Sequence, residues 1–198
     1  MTSMEAYYER RSAEYDDWYL GTGLFAERER PGWEQELSSL IVAIRELPPA
    51  RTLDVACGTG FVTRHLPGDV IGLDRSPSML AETWKRVDAP LVLADAFALP
   101  LRDHSFGRVF TGHFYGHLVE ERRQPFLDEA RRVAGELVVL DAALREDVEP
   151  DQIQERVLSD GSVHRVYKRF FEPDRLADEI GGEVVFAGRW FLVVRAVR

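Results

Sequence analysis

The residues best equipped for chemistry are found in the stretch 53–60, LDVACGTG, where an apolar run is followed by the carboxylate of Asp54 and then by Gly58 and Gly60, one residue apart. Glycines spaced in this way bare the backbone, because they reach conformations closed to other residues and carry no Cβ to block a ligand. A pyrophosphate site calls for G-x-G-x-x-G opening a helix, but the third glycine position here is Thr63. Asp54 stands ahead of the glycines, where it repels phosphate and attracts a cation or an ammonium group. Some twenty residues on, VIGLDRS places Asp74 where an acidic residue accepts both hydroxyls of a ribose. LVLADAFALP then places Asp95 where an adenine amino group would donate to it.

The ligand described by these three carboxylates has an adenosine part and a positively charged ammonium-bearing part, and no phosphate. S-adenosylmethionine fits that description. An NAD(P)-dependent oxidoreductase is the competing reading, and it needs pyrophosphate on the glycine loop with Asp54 turned away. A non-catalytic S-adenosylmethionine-binding regulator is a third. A second group of reactive side chains lies in TGHFYGHL, with His113, Tyr115 and His117 following a strand. On extended backbone His113 and Tyr115, two apart, point the same way, and histidine suits base work near neutrality. A base is useful only if the acceptor is a hydroxyl or a protonated amine. No metal triad is apparent, since only His113 and His117 are closely spaced and no carboxylate stands beside them. The one cysteine, Cys57, excludes an internal disulfide and a multi-cysteine zinc site, and it reads as a small residue of the loop. VHRVYKRFF brings His164, Tyr167, Lys168 and Arg169, whose cations either draw an anionic substrate or form a solvated strand face.

The elements that must position these residues alternate. Residues 4–20 read as helical and crowd together Tyr7, Tyr8, Tyr15, Trp18 and Tyr19, and GTG at 21–23 ends the pattern. Trp33, Leu37, Leu40, Ile41, Ile44 and Leu47 recur at helical spacing before Pro48 and Pro49. RTLDVA then reads as a strand, GFVTRHL as the start of a helix, DVIGLD as a strand, and SPSMLAETWKRV as a helix with Ser76 as N-cap and Pro77 at its first position. PLVLAD, GRVFTGH and the almost wholly apolar GELVVLDAAL are further strands, with the helix ERRQPFLDEARRVA before the last. This order predicts a doubly wound, mostly parallel sheet of Rossmann-like α/β type. In the last third DQIQERVL reads as helical, VHRVYKRFF as a strand, and EPDRLADEI as a helix. GEVVFAG and WFLVVRAV lie close enough in sequence to require a tight hairpin, which makes an antiparallel edge pair.

At 198 residues the chain suits one domain with a real core. No apolar run approaches the roughly 20 residues of a membrane span, and the charged, aromatic start does not resemble a signal peptide, so the expected location is cytoplasmic, with no membrane partner. A formal net charge of -9 disfavours a nucleic-acid partner. Oligomeric state is left open.

LDVACGTG, VIGLDRSPSML, LADAFALPLRDHSFGRVF and FLDEARRVAGELVVLD, in this order and with these gaps, resemble the motifs of the class I S-adenosylmethionine-dependent methyltransferases. The resemblance runs over most of the chain. It implies a seven-stranded sheet whose last strand is antiparallel, an N-terminal helical lid, and a small-molecule methyl acceptor. Position by position, it implies that Asp54, Ala56, Gly58 and Gly60 hold the methionine part and that Asp74 binds the ribose, with Arg75 and Met79 flanking the adenosine. Asp95 and Ala96 read the adenine edge, Phe97 covers its face, Thr111 with its neighbours lines the methionine side, and Tyr15 reaches the methionine end from the lid. The family often has an acidic residue where Gly107 stands here. The implied organisation is a lid over 1–32, a cofactor-binding core over 33–142, and a segment over 143–198 that shapes the acceptor pocket and ends in the antiparallel hairpin.

Overall fold

The computed structural model describes residues 3–198. The chain opens with α1 (Ser3–Arg11), a short 3-10 turn, and α2 (Asp17–Leu20), which Gly21 closes in the left-handed conformation. After a second 3-10 turn comes α3 (Trp33–Arg45), then β1 (Thr52–Val55), β2 (Val70–Asp74), α4 (Pro77–Trp84), β3 (Leu91–Leu93), β4 (Phe106–Gly112), α5 (Glu120–Val133) and β5 (Ala134–Ala142). The last third holds β6 (Asp151–Val157), β7 (Val163–Arg169), α6 (Pro173–Ile180), β8 (Glu183–Ala187) and β9 (Phe191–Val197).

Seven strands form one sheet in the order β3-β2-β1-β4-β5-β9-β8. The strands β3, β2, β1, β4 and β5 run parallel, and β9 is antiparallel to both of its neighbours. Alternation along each strand sends its side chains to two cores. Val109, Leu137, Val139, Leu192 and Val194 face α5 and α6, where they meet Phe126, Leu127, Leu176 and Ile180. Phe110, Val138, Leu140, Phe191 and Val193 face α3 and meet Trp33, Leu40 and Ile44. Each such side chain contributes about 1.5–3 kcal/mol by leaving water. The chain runs outward from β1 in one direction through β2 and β3, and in the other through β4 and β5. This leaves the crevice of a doubly wound sheet at the carboxyl ends of β1 and β4.

Two expectations from the sequence are corrected. DQIQERVL is not helical: residues 151–157 form β6, paired antiparallel with β7 as a ribbon separate from the main sheet. The physical signal is a period of two, with Asp151, Ile153, Glu155 and Val157 exposed and the residues between them half-buried. The segment after the glycine loop is not a regular helix but a single 3-10 turn, Thr63–His65, because Pro67 draws Leu66 into extended backbone. No helix among the described residues is long and apolar enough to cross a membrane.

Candidate active site

The glycine loop leaves β1 with Ala56, Gly58 and Gly60 all at positive φ, 59°, 58° and 73°. Gly60 packs so closely on α4 that a Cβ there would stand 2.9 Å from the Thr83 methyl, whereas one on Gly58 would meet open space. Asp54 is 2% exposed, and its Oδ2 accepts the Thr63 hydroxyl at 2.6 Å. Burial pushes its carboxyl up to about 7; the Thr63 bond opposes this and the charge of Asp74 adds to it. Asp74 Oδ2 accepts the Gly58 N–H and Oδ1 the Ser76 N–H, both at 2.9 Å. The Ser76 hydroxyl caps α4 by accepting the Met79 N–H, and Met79 is buried beneath.

Arg75 Nη1 lies 4.0 Å from Asp95 Oδ2, and Asp95 Oδ1 accepts the Phe97 N–H at 2.9 Å. Ala96 is buried, and the Arg122 guanidinium sits 3.7 Å over the half-buried Phe97 ring. Thr111 does not face the loop: it is fully buried and its hydroxyl donates to the Val55 carbonyl, tying β4 to β1. Its neighbours Phe110 and Gly112 line the cavity instead. Burial raises the Cys57 thiol far above its ordinary range, so it stays protonated.

The N-terminal segment closes over this loop. Tyr15 and Tyr19 line the cavity together with Asp54, Ala56, Gly58 and Phe61. Tyr19 stacks on Phe61 with ring centroids 4.0 Å apart. Asp16 accepts the Thr59 hydroxyl at 2.6 Å and pairs with Arg86, and Glu9 accepts the hydroxyls of Ser76 and Ser78. These bonds join residues more than forty apart in the chain, and no local pattern marks Glu9, Asp16 or Arg86 in advance. The cavity they enclose is about 20 Å³, room for one water.

On the other side of the lid, His113 sits at φ 56° just past β4, its ring enclosed by Trp18, Tyr19 and Phe191. Its Nδ1 lies 4.0 Å from Asp141 Oδ1, and its buried Nε2 has no hydrogen-bond partner among the described residues. Burial drives the imidazole down to about 3, against the pull of Asp141. His117 donates from Nδ1 to the Tyr167 carbonyl at 2.7 Å, and burial likewise holds it well below its ordinary value. Asp141, at the end of β5, is fully buried; it pairs with Lys168 and accepts the Gly116 N–H at 2.7 Å. Burial works to raise Asp141, but the charge and hydrogen bond of Lys168, with the bond from the Ala142 N–H, outweigh it and hold the carboxyl below its ordinary value. The position of Asp141 at a strand end, like that of Asp54 and Asp74, was a legible signal that motif spacing alone passed over.

Tyr115 departs from its expected place beside His113. Tyr115–His117 form a 3-10 turn rather than extended chain, so the two side chains diverge. Tyr115 is fully buried against Phe126 and Phe171, and its hydroxyl donates to Glu179 at 2.7 Å. Tyr167 and Arg169 also turn outward, to Asp151 and Glu179.

Residues 53–137 match the family model of the methyltransferase domain. The demethylmenaquinone methyltransferase of Thermotoga maritima is 35% identical over 118 residues, 55% of this chain and 49% of that protein. The dTDP-3-amino-3,6-dideoxy-alpha-D-glucopyranose N,N-dimethyltransferase of Streptomyces fradiae is 41% identical over 85 residues, 40% of this chain and 31% of that one. The chain thus spans about half the length of the first of these curated relatives and about a third of the second. Over its whole length it resembles the solved DhpI–SAM–HEP complex, with a TM-score of 0.72 at 26% identity, covering 98% of this chain and 95% of that one. A DhpI–SAH complex gives 0.73 at 25%, covering 98% and 94%. Fold, glycine loop and matched segment agree: residues 53–137 match a methyltransferase domain, and the chain as a whole resembles the class I S-adenosylmethionine-dependent methyltransferases.

Proposed function

We propose that this protein transfers a methyl group from S-adenosylmethionine to a small organic acceptor by in-line displacement. The observation that carries the reading is the buried Asp54 carboxylate beside a loop whose Gly58 opens onto free space. A carboxylate held at about 7 by burial is stabilised by a neighbouring cation, and the ammonium of the cofactor is one. Asp74 accepts backbone N–H groups, those of Gly58 and Ser76 among them, and a carboxylate's four lone-pair sites leave capacity to accept a ribose hydroxyl. Arg75, Met79, Asp95, Ala96 and Phe97 border the adenosine side, while Tyr15 closes the methionine end.

The dinucleotide alternative is disfavoured by the same geometry. A single 3-10 turn follows the loop, so no helix N-terminus is available to pyrophosphate, and Asp54 would stand against it. When bound, the sulfonium supplies the activated methyl carbon. The chain's own residues align the acceptor and keep water out: Tyr15, Tyr19 and Trp18 form the lid, and the glycine loop forms the floor. His113 and His117 line the acceptor side as neutral hydrogen-bonding groups. With imidazoles so far below neutrality they are poor bases, and Tyr115 serves as core support. The curated relatives are named for unlike acceptors, a menaquinone precursor and an amino sugar, so neither acceptor carries over to this chain.

Calorimetric titration with S-adenosylmethionine, S-adenosylhomocysteine and NAD tests the reading. We expect both sulfur ligands to bind and NAD not to. Binding of NAD with no binding of either sulfur ligand rejects it.

A further inference from the structure

The β6–β7 ribbon leaves most of one face bare. Residues directly opposite on antiparallel strands share a face, and the register sets Val157 against Val163, Glu155 against Arg165 and Ile153 against Tyr167. The opposite face is covered: Val166 packs with Tyr7 and Leu158, and Lys168 reaches Asp141. The first face is tied down only at its base, where Tyr167 meets Arg123 of α5 and Arg169 meets Glu179 of α6. Beyond that point Ile153 is 53% exposed, Val157 55% and Val163 60%. Single exposed apolar side chains are ordinary, but facing valines with an isoleucine on the same side form a patch of the kind that marks an interaction site. A two-stranded ribbon is also only marginally stable in water until a face is covered.

Glu155 and Arg165 stand between the apolar ends of this patch, both exposed and directly opposite each other. Neither has an ion-pair or hydrogen-bond partner among the described residues. Along the ribbon the face therefore reads apolar on both strands, then acid on β6 beside base on β7, then apolar again. This pattern is complementary to itself in one orientation. A two-fold axis parallel to the strands lays β6 of one copy over β7 of the other at the same level. Glu155 then meets Arg165 of the second copy, Arg165 meets its Glu155, and valine meets valine. An axis across the strands would instead set Glu155 on Glu155 and Arg165 on Arg165. Two-fold pairs of identical chains make reciprocal contacts of the first kind, and stacked sheets leave about 10 Å between them for such side chains.

We infer that the outer face of the β6–β7 ribbon docks a second copy of this chain, ribbon on ribbon, about a two-fold axis parallel to the strands. The patch spans three cross-strand pairs, well short of the roughly 800 Å² that each partner buries in a stable complex. The dimer is accordingly weak, forming and parting with concentration. It covers the outside of the strand whose inner side carries Lys168, so each copy backs the other's ribbon. Such a dimer does not depend on what the site binds, and no cofactor is needed to detect it.

Sedimentation velocity on the full chain, from micromolar to millimolar concentration, tests this. A monomer–dimer equilibrium is expected, weaker at high salt because exposed charges are screened. Glu155→Arg sets like charges against each other across the axis and should weaken the dimer by about tenfold or more, and Arg165→Glu should do the same. The double variant Glu155→Arg/Arg165→Glu restores opposite charges and should recover the dimer. An equimolar mixture of the two single variants should recover it as well, as a mixed pair. Val157→Ser/Val163→Ser should weaken it by about tenfold through lost apolar burial. All four side chains are exposed, so the variants should melt with the wild type at low concentration; where a charge reversal does not fold, Glu155→Gln or Arg165→Gln replaces it, with a weaker dimer expected. A chain that stays monomeric throughout overturns the inference and leaves the face to a different protein or to solvent. A dimer indifferent to the charge variants also overturns it, since it is built on another surface. Loss in both single variants without recovery in the double variant or the mixture overturns the pairing of Glu155 with Arg165.

Discussion

Asp54 couples the glycine loop to pH. Its folded pKa, about 7, lies above the 3.8 of an unperturbed aspartate, so between roughly pH 4 and pH 7 the folded chain holds a proton that the unfolded chain has lost. The stability contributed by this group is therefore fully present below pH 4 and lost as pH rises through 7. His113 works in the opposite sense: depressed to about 3, it stabilises above its ordinary 6.5, and that contribution is lost as pH falls through 3. The two windows overlap, so the informative quantity is the difference between variant and wild type. Asp54→Asn should gain stability relative to wild type as pH rises from 4 to 8, measured by thermal melting without ligand, and should lose affinity for S-adenosylmethionine. A constant difference across that range would show that the carboxyl titrates normally. Asp74→Ala removes a charged acceptor from the proposed ribose contacts. About tenfold to hundredfold weaker cofactor binding is expected from calorimetry. Tyr115→Phe should cost about 1 kcal/mol of stability through the lost bond to Glu179 and leave turnover nearly unchanged. A large fall in turnover with little loss of stability would return Tyr115 to the catalytic group.

The lid is held by two polar fastenings together with the packing of Trp18 and Tyr19, and the β6–β7 ribbon by a buried ion pair together with the packing of Val166. Asp16 and Glu9 bind α2 and α1 down to the glycine loop and the start of α4. The methionine-end cavity beneath holds about one water, and we expect the cofactor to bind with this segment lifted. Asp16→Ala should therefore speed amide exchange across residues 3–30, with S-adenosylhomocysteine restoring protection, and exchange equal to wild type would place the fastening elsewhere. The ribbon is tied to the main sheet through Lys168 of β7 and Asp141 of β5, both almost wholly buried. Lys168→Met leaves a buried carboxylate unpaired and should cost about 3–5 kcal/mol in denaturant unfolding. The packing of Gly116 against the same pair, where a Cβ would fall 2.7 Å from the Lys168 ammonium, leaves no room for rearrangement.

At the scale of the molecule, cofactor and fold are linked by mass action. S-adenosylhomocysteine at a hundred times its dissociation constant should add about 2.7 kcal/mol, which for a chain of this size raises the melting temperature by roughly 5–10 °C. NAD at the same concentration should leave it unchanged. The strand-order reversal puts the glycine loop and the end of β4 on one crevice, and the two cores on either side of the sheet keep that crevice rigid.

Much of the sheet was readable from the chain alone, because parallel strands covered on both faces are continuous apolar runs, and the first three end at or just before a carboxylate proposed to meet the cofactor: Asp54, Asp74, Asp95. The Ser76 cap and the turn out of β1 were local enough to be seen as well. β6 was misread because its polar residues hide a period of two that only pairing with β7 completes, and Tyr115 because a 3-10 turn broke an assumed alternation. Asp16, Asp141 and Lys168 acquire their roles from partners far away in the chain. Spacing in the sequence determined the kind of cofactor, since its cradle is one loop and three strand ends. Only the tertiary structure decided what surrounds His113 and His117, the proposed acceptor side, because that wall is assembled from the lid, the end of β4, β9 and the ribbon, which share no local pattern and meet only in the folded chain.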